Sequence, residues 1–265
     1  MMDLSRLSFL GPNAHRLRES TVAVVGAGGG GSHVIQQLAH LGVGTTAVID
    51  DDRLERWNVN RVPCSTYRDL GRHKGEVLSE RLKGLGGRVV PVLKRGESDE
   101  GRMWIERSDL VVGALDGARA RNNIESICRA ALVPYIDIGL TIDVADDGEI
   151  RAIGGQVVTS LLGGPCLRCA GVVTEATMMA DREEYVAGAP EQQVISMNGV
   201  LASQAVNVVL KLLTGYVSDY PAPPVILYDG LLDTLVPDKH VQKICPHYPL
   251  EAAGWAVRLP ARRAV

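Results

Sequence analysis

The stretch that decides the fold runs from Thr21 to Arg61: TVAVVGAGGGGSHVIQQLAHLGVGTTAVIDDDRLERWNVNR. The apolar residues Val22 to Val25 read as a buried strand, and they run into a glycine loop of Gly26, Gly28, Gly29, Gly30 and Gly31. A helix is predicted from there to about Leu41. A second strand, Thr46 to Ile49, ends on three acids, Asp50, Asp51 and Asp52. This order is a dinucleotide-type βαβ unit. Its glycines let backbone N–H groups and a helix N-terminus approach a phosphate, and an acid closing the second strand is placed to hold a ribose. Asp50 is the ribose candidate, with Asp52 as its competitor if the strand ends late. A helix cap or turn acid is the plainer role for both. Gly26-x-Gly28-x-x-Gly31 alone would also suit a tight strand-to-helix turn.

The residues just past these acids are unusual for a dehydrogenase. Asn58 and Arg61 lie eight and eleven residues past Asp50 and bring an amide and a fixed cation towards the same pocket. Lys74 stands in D-L-G-R-H-K, where a helix is predicted to start. A lysine there opposes the helix dipole unless an anion is present, so a phosphate contact competes with an exposed helix lysine. Asp116 closes the strand D-L-V-V-G-A, and acids beyond the carboxyl ends of parallel strands face the ligand crevice. A carboxylate there is suited to hold Mg²⁺ against a polyphosphate; it would also cap the next helix. Together these groups fit a triphosphate, ATP, better than NAD.

Further along, helices are predicted at residues 3–18 (Leu4, Leu7, Leu10 and Leu17 on one side), His73 to Leu85, Arg119 to Leu132 and Val194 to Leu213, with a helical turn at Met103 to Glu106. Strands are predicted at Val89 to Leu93, Asp109 to Ala114, Pro134 to Ile138, within 149–162, and at Val225 to Tyr228 and Thr234 to Val241. The alternation of strands and helices implies right-handed crossovers and a doubly wound, Rossmann-like α/β sheet, turning mixed after Gly139. Residues 174–192 show no period and read as a mobile crossing segment. Hydrophobic residues make up 46% of the 265, with one Phe, which gives an aliphatic core suited to a sheet buried on both faces. The net charge of −3 gives no nucleic-acid or membrane footprint. No apolar run reaches the roughly 20 residues that span a bilayer, and no secretory h-region opens the chain. The expected location is the cytoplasm.

Five cysteines are present, an odd count. Cys166-Leu167-Arg168-Cys169 reads as half of a zinc site, and Cys245-Pro246-His247 offers the other half as one cysteine and one histidine. Three cysteines and a histidine are an accepted structural zinc set. A redox C-x-x-C is the competing role.

These pieces occur in an order that resembles the ubiquitin-activating-enzyme-like adenylyltransferases, the ThiF/MoeB/HesA group. The matching runs are V-V-G-A-G-G-G-G-S, I-D-D-D-R-L-E-R-W-N-V-N-R, D-L-G-R-H-K, L-D-G-A-R-A-R-N-N, P-Y-I-D-I-G, G-P-C-L-R-C and I-S-M-N-G-V-L-A-S-Q-A-V. The resemblance implies an eight-stranded sheet, parallel first and mixed later, in a homodimer. It implies one adenylation domain over 1–265: an N-terminal helix (1–20), a nucleotide-binding half (21–140), a substrate-protein half with the C-x-x-C (141–250) and a tail (251–265). The implied reaction is MgATP-dependent adenylation of the C-terminal carboxylate of a ubiquitin-like or sulfur-carrier protein, or of a precursor peptide, with a Gly-Gly-type tail. Asp50 would then hold the ribose, Asn58, Arg61 and Lys74 the phosphates, and Asp116 the metal. An N-terminal arginine would act across the dimer, with Arg6 the candidate and Arg16 and Arg18 its competitors. Residues 170–195 carry no cysteine to take a thioester, and Cys64 reads as a structural thiol, so the product would remain an acyl-adenylate. Two other readings stand beside this one: a non-catalytic scaffold half of a heterodimeric activating enzyme, and an NAD-dependent oxidoreductase.

Overall fold

Eight strands, β1 (Thr21–Val25), β2 (Thr45–Ile49), β3 (Arg88–Val92), β4 (Leu110–Gly113), β5 (Tyr135–Val144), β6 (Ile150–Ser160), β7 (Val225–Asp229) and β8 (Thr234–Pro237), form one sheet in the order β3-β2-β1-β4-β5-β6-β7-β8. The computed structural model describes residues 5–248 apart from 146, 188–191, 220 and 243. The pairs among β3, β2, β1, β4 and β5 are parallel. The pairs β5–β6, β6–β7 and β7–β8 are antiparallel. The expected switch from parallel to mixed therefore falls on β5, which continues through Gly139 to Val144 where the sequence pattern predicted an end at Ile138.

The sheet is covered on both faces, and β1 shows why. Successive side chains on a strand point to opposite faces. Val22 and Val24 join a core with Val34, Ile35 and Leu38 of α2 (Gly29–Leu41) and Leu201, Ala205 and Val208 of α7 (Ile195–Thr214). Ala23 and Val25 join a second core with Ile105 of α4 (Asp99–Glu106) and Ile124 and Cys128 of α5 (Ala118–Ala131). With both faces buried, apolar residues need not alternate with polar ones, and β1 reads as a continuous aliphatic run. At 20 residues α7 is long and apolar enough to cross a membrane by length and composition, contrary to the expectation that no run was. Nine of its residues are buried, against α2 and the sheet, so its apolarity is also what a core helix requires.

Other elements differ from expectation too: β8 ends at Pro237 where the pattern predicts Val241. The N-terminal helix is a 3-10 run, Ser5–His15, followed by one α turn, α1 (Arg16–Glu19). Gly11 (φ 70°) and Pro12 break it, yet Leu10 and Leu17 still anchor it; Leu4 lies outside the described residues. The helix α3 (Lys74–Arg81) stops short of Leu85, and Gly84 turns at φ 92°. The turn at 103–106 is the last part of the full helix α4, started by the Ser98 hydroxyl accepting from Gly101 N at 3.1 Å. The aperiodic crossing segment contains a helix, α6 (Glu175–Ala187), whose start is fixed by reciprocal bonds between Thr174 and Thr177 at 2.9 and 3.1 Å. The tail expected at 251–265 falls outside the described residues.

Candidate active site

The strand order reverses between β1 and β4, and a cleft of about 300 Å³ opens there beyond the carboxyl ends of the parallel strands. This is the switch point at which doubly wound sheets bind ligands. Of the residues singled out from sequence, Gly26, Gly28, Gly29, Asp50, Asp52, Asn58, Arg61, Lys74 and Asp116 line it. Gly26 makes the turn out of β1 at φ 92°, and a Cβ there would stand 2.3 Å from the Ala114 carbonyl oxygen. Gly31 does not line the cleft. A Cβ there would stand 1.9 Å from the Gly26 carbonyl oxygen, so it serves the close packing of α2 on the loop. Gly28 has ordinary backbone angles and open space where a Cβ would be. Its missing side chain leaves room in the cleft at the helix N-terminus, as a phosphate requires.

The two acids divide the work differently from expectation. The Asp50 carboxylate is buried and accepts from Ala27 N at 2.6 Å and Asp52 N at 2.9 Å, so it ties the glycine loop to the end of β2. It is a turn acid and a cleft residue at once. Burial pushes its carboxyl above the usual carboxylate range, against the opposing pull of Lys74 and of the Ala27 N–H. Asp52 neither caps a helix nor holds a turn: its carboxylate, 67% exposed, meets Lys74 Nζ at 2.8 Å. An anion therefore does sit at Lys74 at the start of α3, and it is supplied by the protein. The helix dipole alone does not require a phosphate there. Asn58 is buried, and its amide oxygen accepts from Glu55 N at 2.9 Å, which leaves the amide NH₂ for the cleft. The Arg61 guanidinium is held by the Trp57 carbonyl.

Asp116 does not cap α5. The helix N-terminus is satisfied instead by Asp181 of α6, whose carboxylate accepts from Ala118 N at 3.1 Å and Arg119 N at 2.8 Å. Asp116 is exposed and free of that duty. Three further features of the cleft escaped the sequence reading. Arg121 lines its floor, paired with the fully buried Asp137, which also accepts from Tyr135 OH at 2.9 Å. Burial raises the Asp137 carboxyl, with Arg121 pulling the other way. Asn198, at the start of α7, lies over the glycine loop: Cβ atoms at Gly29 and Gly30 would stand 2.5 and 3.7 Å from its side chain. Lys94 and Glu97, beyond β3, close the far side.

On the other side of α5 lie Cys166, Cys169, Cys245 and His247, with their ligand atoms all within 4.8 Å of one another. The sulfurs of Cys166 and Cys169 are 3.7 Å apart, and His247 Nδ1 is 3.4 and 3.5 Å from them. Sulfurs at about 2.3 Å from a tetrahedral zinc stand about 3.8 Å apart, so the donor set fits zinc in type and spacing. Burial pushes the Cys166 thiol up to about 12. The nest is clamped to α5. Glu125 accepts from Leu167 N at 3.0 Å, Arg129 donates to the Gly164 and Pro165 carbonyls, and Tyr248 stacks under the Arg129 guanidinium while bonding Ser126.

Arg6 is not brought to this cleft. It is exposed on the 3-10 run, which packs at the other end of α7 through Phe9 on Tyr216 and Asn13 Nδ2 on the Thr214 carbonyl. A 20-residue helix is about 30 Å long, so Arg6 does not reach the cleft of its own chain. Arg16 and Arg18 are exposed at the same end. Cys64 is half-buried against the core, and burial raises its thiol although Arg81 opposes this.

A glycine loop and helix N-terminus, a buried acid closing β2 and flanking cations at the switch point of a doubly wound sheet make the kind of cleft that binds nucleotides in α/β proteins. More particularly, residues 4–246 match the ThiF family, and the chain belongs to that family. It is 36% identical over 163 residues to the SAMP-activating enzyme E1 of Haloferax volcanii, covering 60% of this chain and 57% of that protein. It is 29% identical to the molybdopterin-synthase adenylyltransferase of Escherichia coli, covering 81% of each. The fold is that of E. coli MccB, solved with AMPCPP and MccA: TM-score 0.71, 20% identity, covering 88% of this chain and 68% of that one. The chain thus spans little more than half of the Haloferax enzyme's length.

Proposed function

We propose that this protein is an adenylyltransferase that activates the C-terminal carboxylate of a ubiquitin-like or sulfur-carrier protein, or of a precursor peptide, with ATP. The observation that carries the reading is one cleft at the switch point lined by Asp50, Asn58, Arg61, Lys74 and Asp116 together. An NAD enzyme would have no work for the last four.

The nucleotide would lie with its ribose on Asp50 and its phosphates over Gly28, Gly29 and the N-terminus of α2. Asn58 would donate its amide NH₂, and Arg61 and Lys74 would meet the β- and γ-phosphates. Lys74 reaches the cleft already desolvated and held by Asp52, so phosphate binding replaces one carboxylate partner with another anion at little cost in reorganisation. Asp116, free of capping, is the residue that would hold Mg²⁺; the ion would neutralise charge on the phosphates. In the reaction a carboxylate oxygen of the acceptor attacks the α-phosphorus. One C(O)–O–P bond forms, the bond to the bridging oxygen breaks, and pyrophosphate leaves with that electron pair; no proton or redox change is needed. The protein contributes positioning and charge stabilisation.

The same proposal includes a homodimer in which Arg6 serves the partner's cleft, one adenylation domain with its acceptor on the mixed half of the sheet, zinc held structurally by Cys166, Cys169, Cys245 and His247, and action in the cytoplasm. With no cysteine in 170–195 and Cys64 packed against the core, the acyl-adenylate would pass to an external nucleophile. The test is Asp116→Ala. Because Asp181 caps α5, the variant should keep its fold and melting temperature while losing Mg²⁺-dependent ATP–pyrophosphate exchange. Exchange at the wild-type rate would remove Asp116 from the reaction.

A further inference from the structure

The reaction proposed above brings two anions together, an acceptor carboxylate and a triphosphate. Arg61 and Lys74 enter the cleft from the β2 side of the switch point, where the phosphates leave. Neither of them receives the acceptor. On the other side, Ile138, Gly139, Leu140 and Thr141 of β5 line the cleft, and Gln193 lies over the glycine loop, its Oε1 3.1 Å from where a Gly29 Cβ would stand.

Arg121 stands on the floor of the cleft. It is 8% exposed, and its Nη1 donates to Asp137 Oδ2 and, at 3.0 Å, to the Ile138 carbonyl. A guanidinium has five N–H donors in a fixed fork. Two are used on Nη1; among the described residues none of the remaining donors, on Nη2 and Nε, has an acceptor. Arg121 and Gly139 both line the cleft. Gly139 lets the guanidinium lie close over β5: a Cβ there would stand 2.4 Å from Gln156 Nε2 and 3.0 Å from both Nη1 and Nη2. The cation is thus oriented by one wholly buried carboxylate, Asp137, and has further donors to offer at the cleft it lines.

Resting on the adenylation reading, we infer that Arg121 is the acceptor-carboxylate receptor: its free edge binds the terminal carboxylate of the incoming tail and holds it on the β5 side, facing the α-phosphate. Asp137, Tyr135 and the Ile138 carbonyl are positioning groups that fix the guanidinium. A planar fork fits a carboxylate through paired N–H···O bonds, which a lysine does not reproduce.

The test uses the full-length protein and a heptapeptide ending in Gly-Gly, as the free acid and as the C-terminal amide. Each is titrated calorimetrically with and without Mg²⁺ and AMPCPP, which cannot be cleaved between the α- and β-phosphates. The wild type should prefer the acid by about tenfold or more. Arg121→Lys keeps a cation for Asp137 and should bind AMPCPP as the wild type does while losing most of the acid preference. Arg121→Gln combined with Asp137→Asn removes both charges, avoids a stranded buried carboxylate, and should lose the preference altogether. Equal binding of acid and amide by the wild type, or an undiminished preference in both variants, would overturn the assignment. Failure of AMPCPP to bind the wild type would instead overturn the adenylation reading, independently of the acid–amide comparison.

Discussion

Asp181→Ala removes a carboxylate that belongs to α6 from the N-terminus of α5, and the consequences can be sized from the two bonds it makes, 3.1 and 2.8 Å long to Ala118 N and Arg119 N. Loss of a capping side chain costs about 1 kcal/mol, and loss of an anion at the positive end of a helix adds about 0.3–1 kcal/mol. Asp181 is half-buried, and water reaches the freed N–H groups in part, so the sum should be about 1–2 kcal/mol. For a chain of this size that is about 2–8 °C in melting temperature. The effect should be local: amide exchange should quicken in the first turn of α5 and in α6, and stay unchanged in α2. Asp116 immediately precedes the N-cap residue Gly117, so affinity for MgAMPCPP should fall by about threefold, a coupling of about 0.7 kcal/mol. Asp181→Asn, which keeps one acceptor, should recover part of both effects. Thermal unfolding, exchange mass spectrometry and calorimetry on the three proteins would decide. A melting temperature within about 1 °C of wild type, with α5 exchange unchanged, would refute the capping role.

Other perturbations separate structural from binding roles. Gly28→Ala should cost about 1 kcal/mol or less, since its Cβ meets nothing and Ala is only a poor N-cap; AMPCPP affinity should nonetheless drop by at least about tenfold, because the methyl enters the phosphate space. Gly26→Ala should unfold or fail to express, since it combines φ 92° with a Cβ 2.3 Å from the Ala114 carbonyl oxygen; normal stability by urea titration would contradict the loop geometry. Metal analysis of the purified protein should find one zinc per chain, lost in Cys166→Ser, with a lowered unfolding midpoint; a wild type free of metal would leave the nest as a thiol cluster. The Asp69 carboxyl is held below its ordinary 3.8: burial would raise it, but Thr66 and Arg81 outweigh that. Its stabilisation is therefore complete above that pH and is lost as pH falls through the folded-state value. Asp69→Asn should be less stable at neutral pH and should lose less stability than wild type on acidification to about pH 3; parallel pH profiles would contradict this.

How far the sequence could be read depended on how local the physics was. β1, β2 and the glycine loop were legible because aliphatic runs bounded by glycine and acid are short-range signals. Asn58, Arg61, Lys74 and Asp116 were legible as cleft-lining residues because they fall at fixed distances from strand ends. Arg121 was not. It sits in a charged helical run, and its meaning depends on Asp137, which arrives from a neighbouring strand. Asp181 was hidden for the same reason: it caps a helix that begins 63 residues earlier. The pairing of Lys74 with Asp52 was hidden because a lysine at a helix start suggests any anion, and only the structure shows which one lies beside it. The helix α6 was missed because its sequence lacks an apolar stripe, while its Thr174–Thr177 start is a cap signal that outweighs periodicity there. Arg6 was placed by resemblance, and the structure sets it, exposed, at the far end of α7 from the cleft.

Acyl-adenylate formation is most directly tested by ATP–pyrophosphate exchange with the purified protein, alone and with Gly-Gly-ending ubiquitin-like proteins or peptides. Exchange should require Mg²⁺ and a partner with a free C-terminal carboxylate, and should vanish when that carboxylate is amidated. Exchange that proceeds equally with the amidated partner, or no binding of ATP at all, would contradict the assignment.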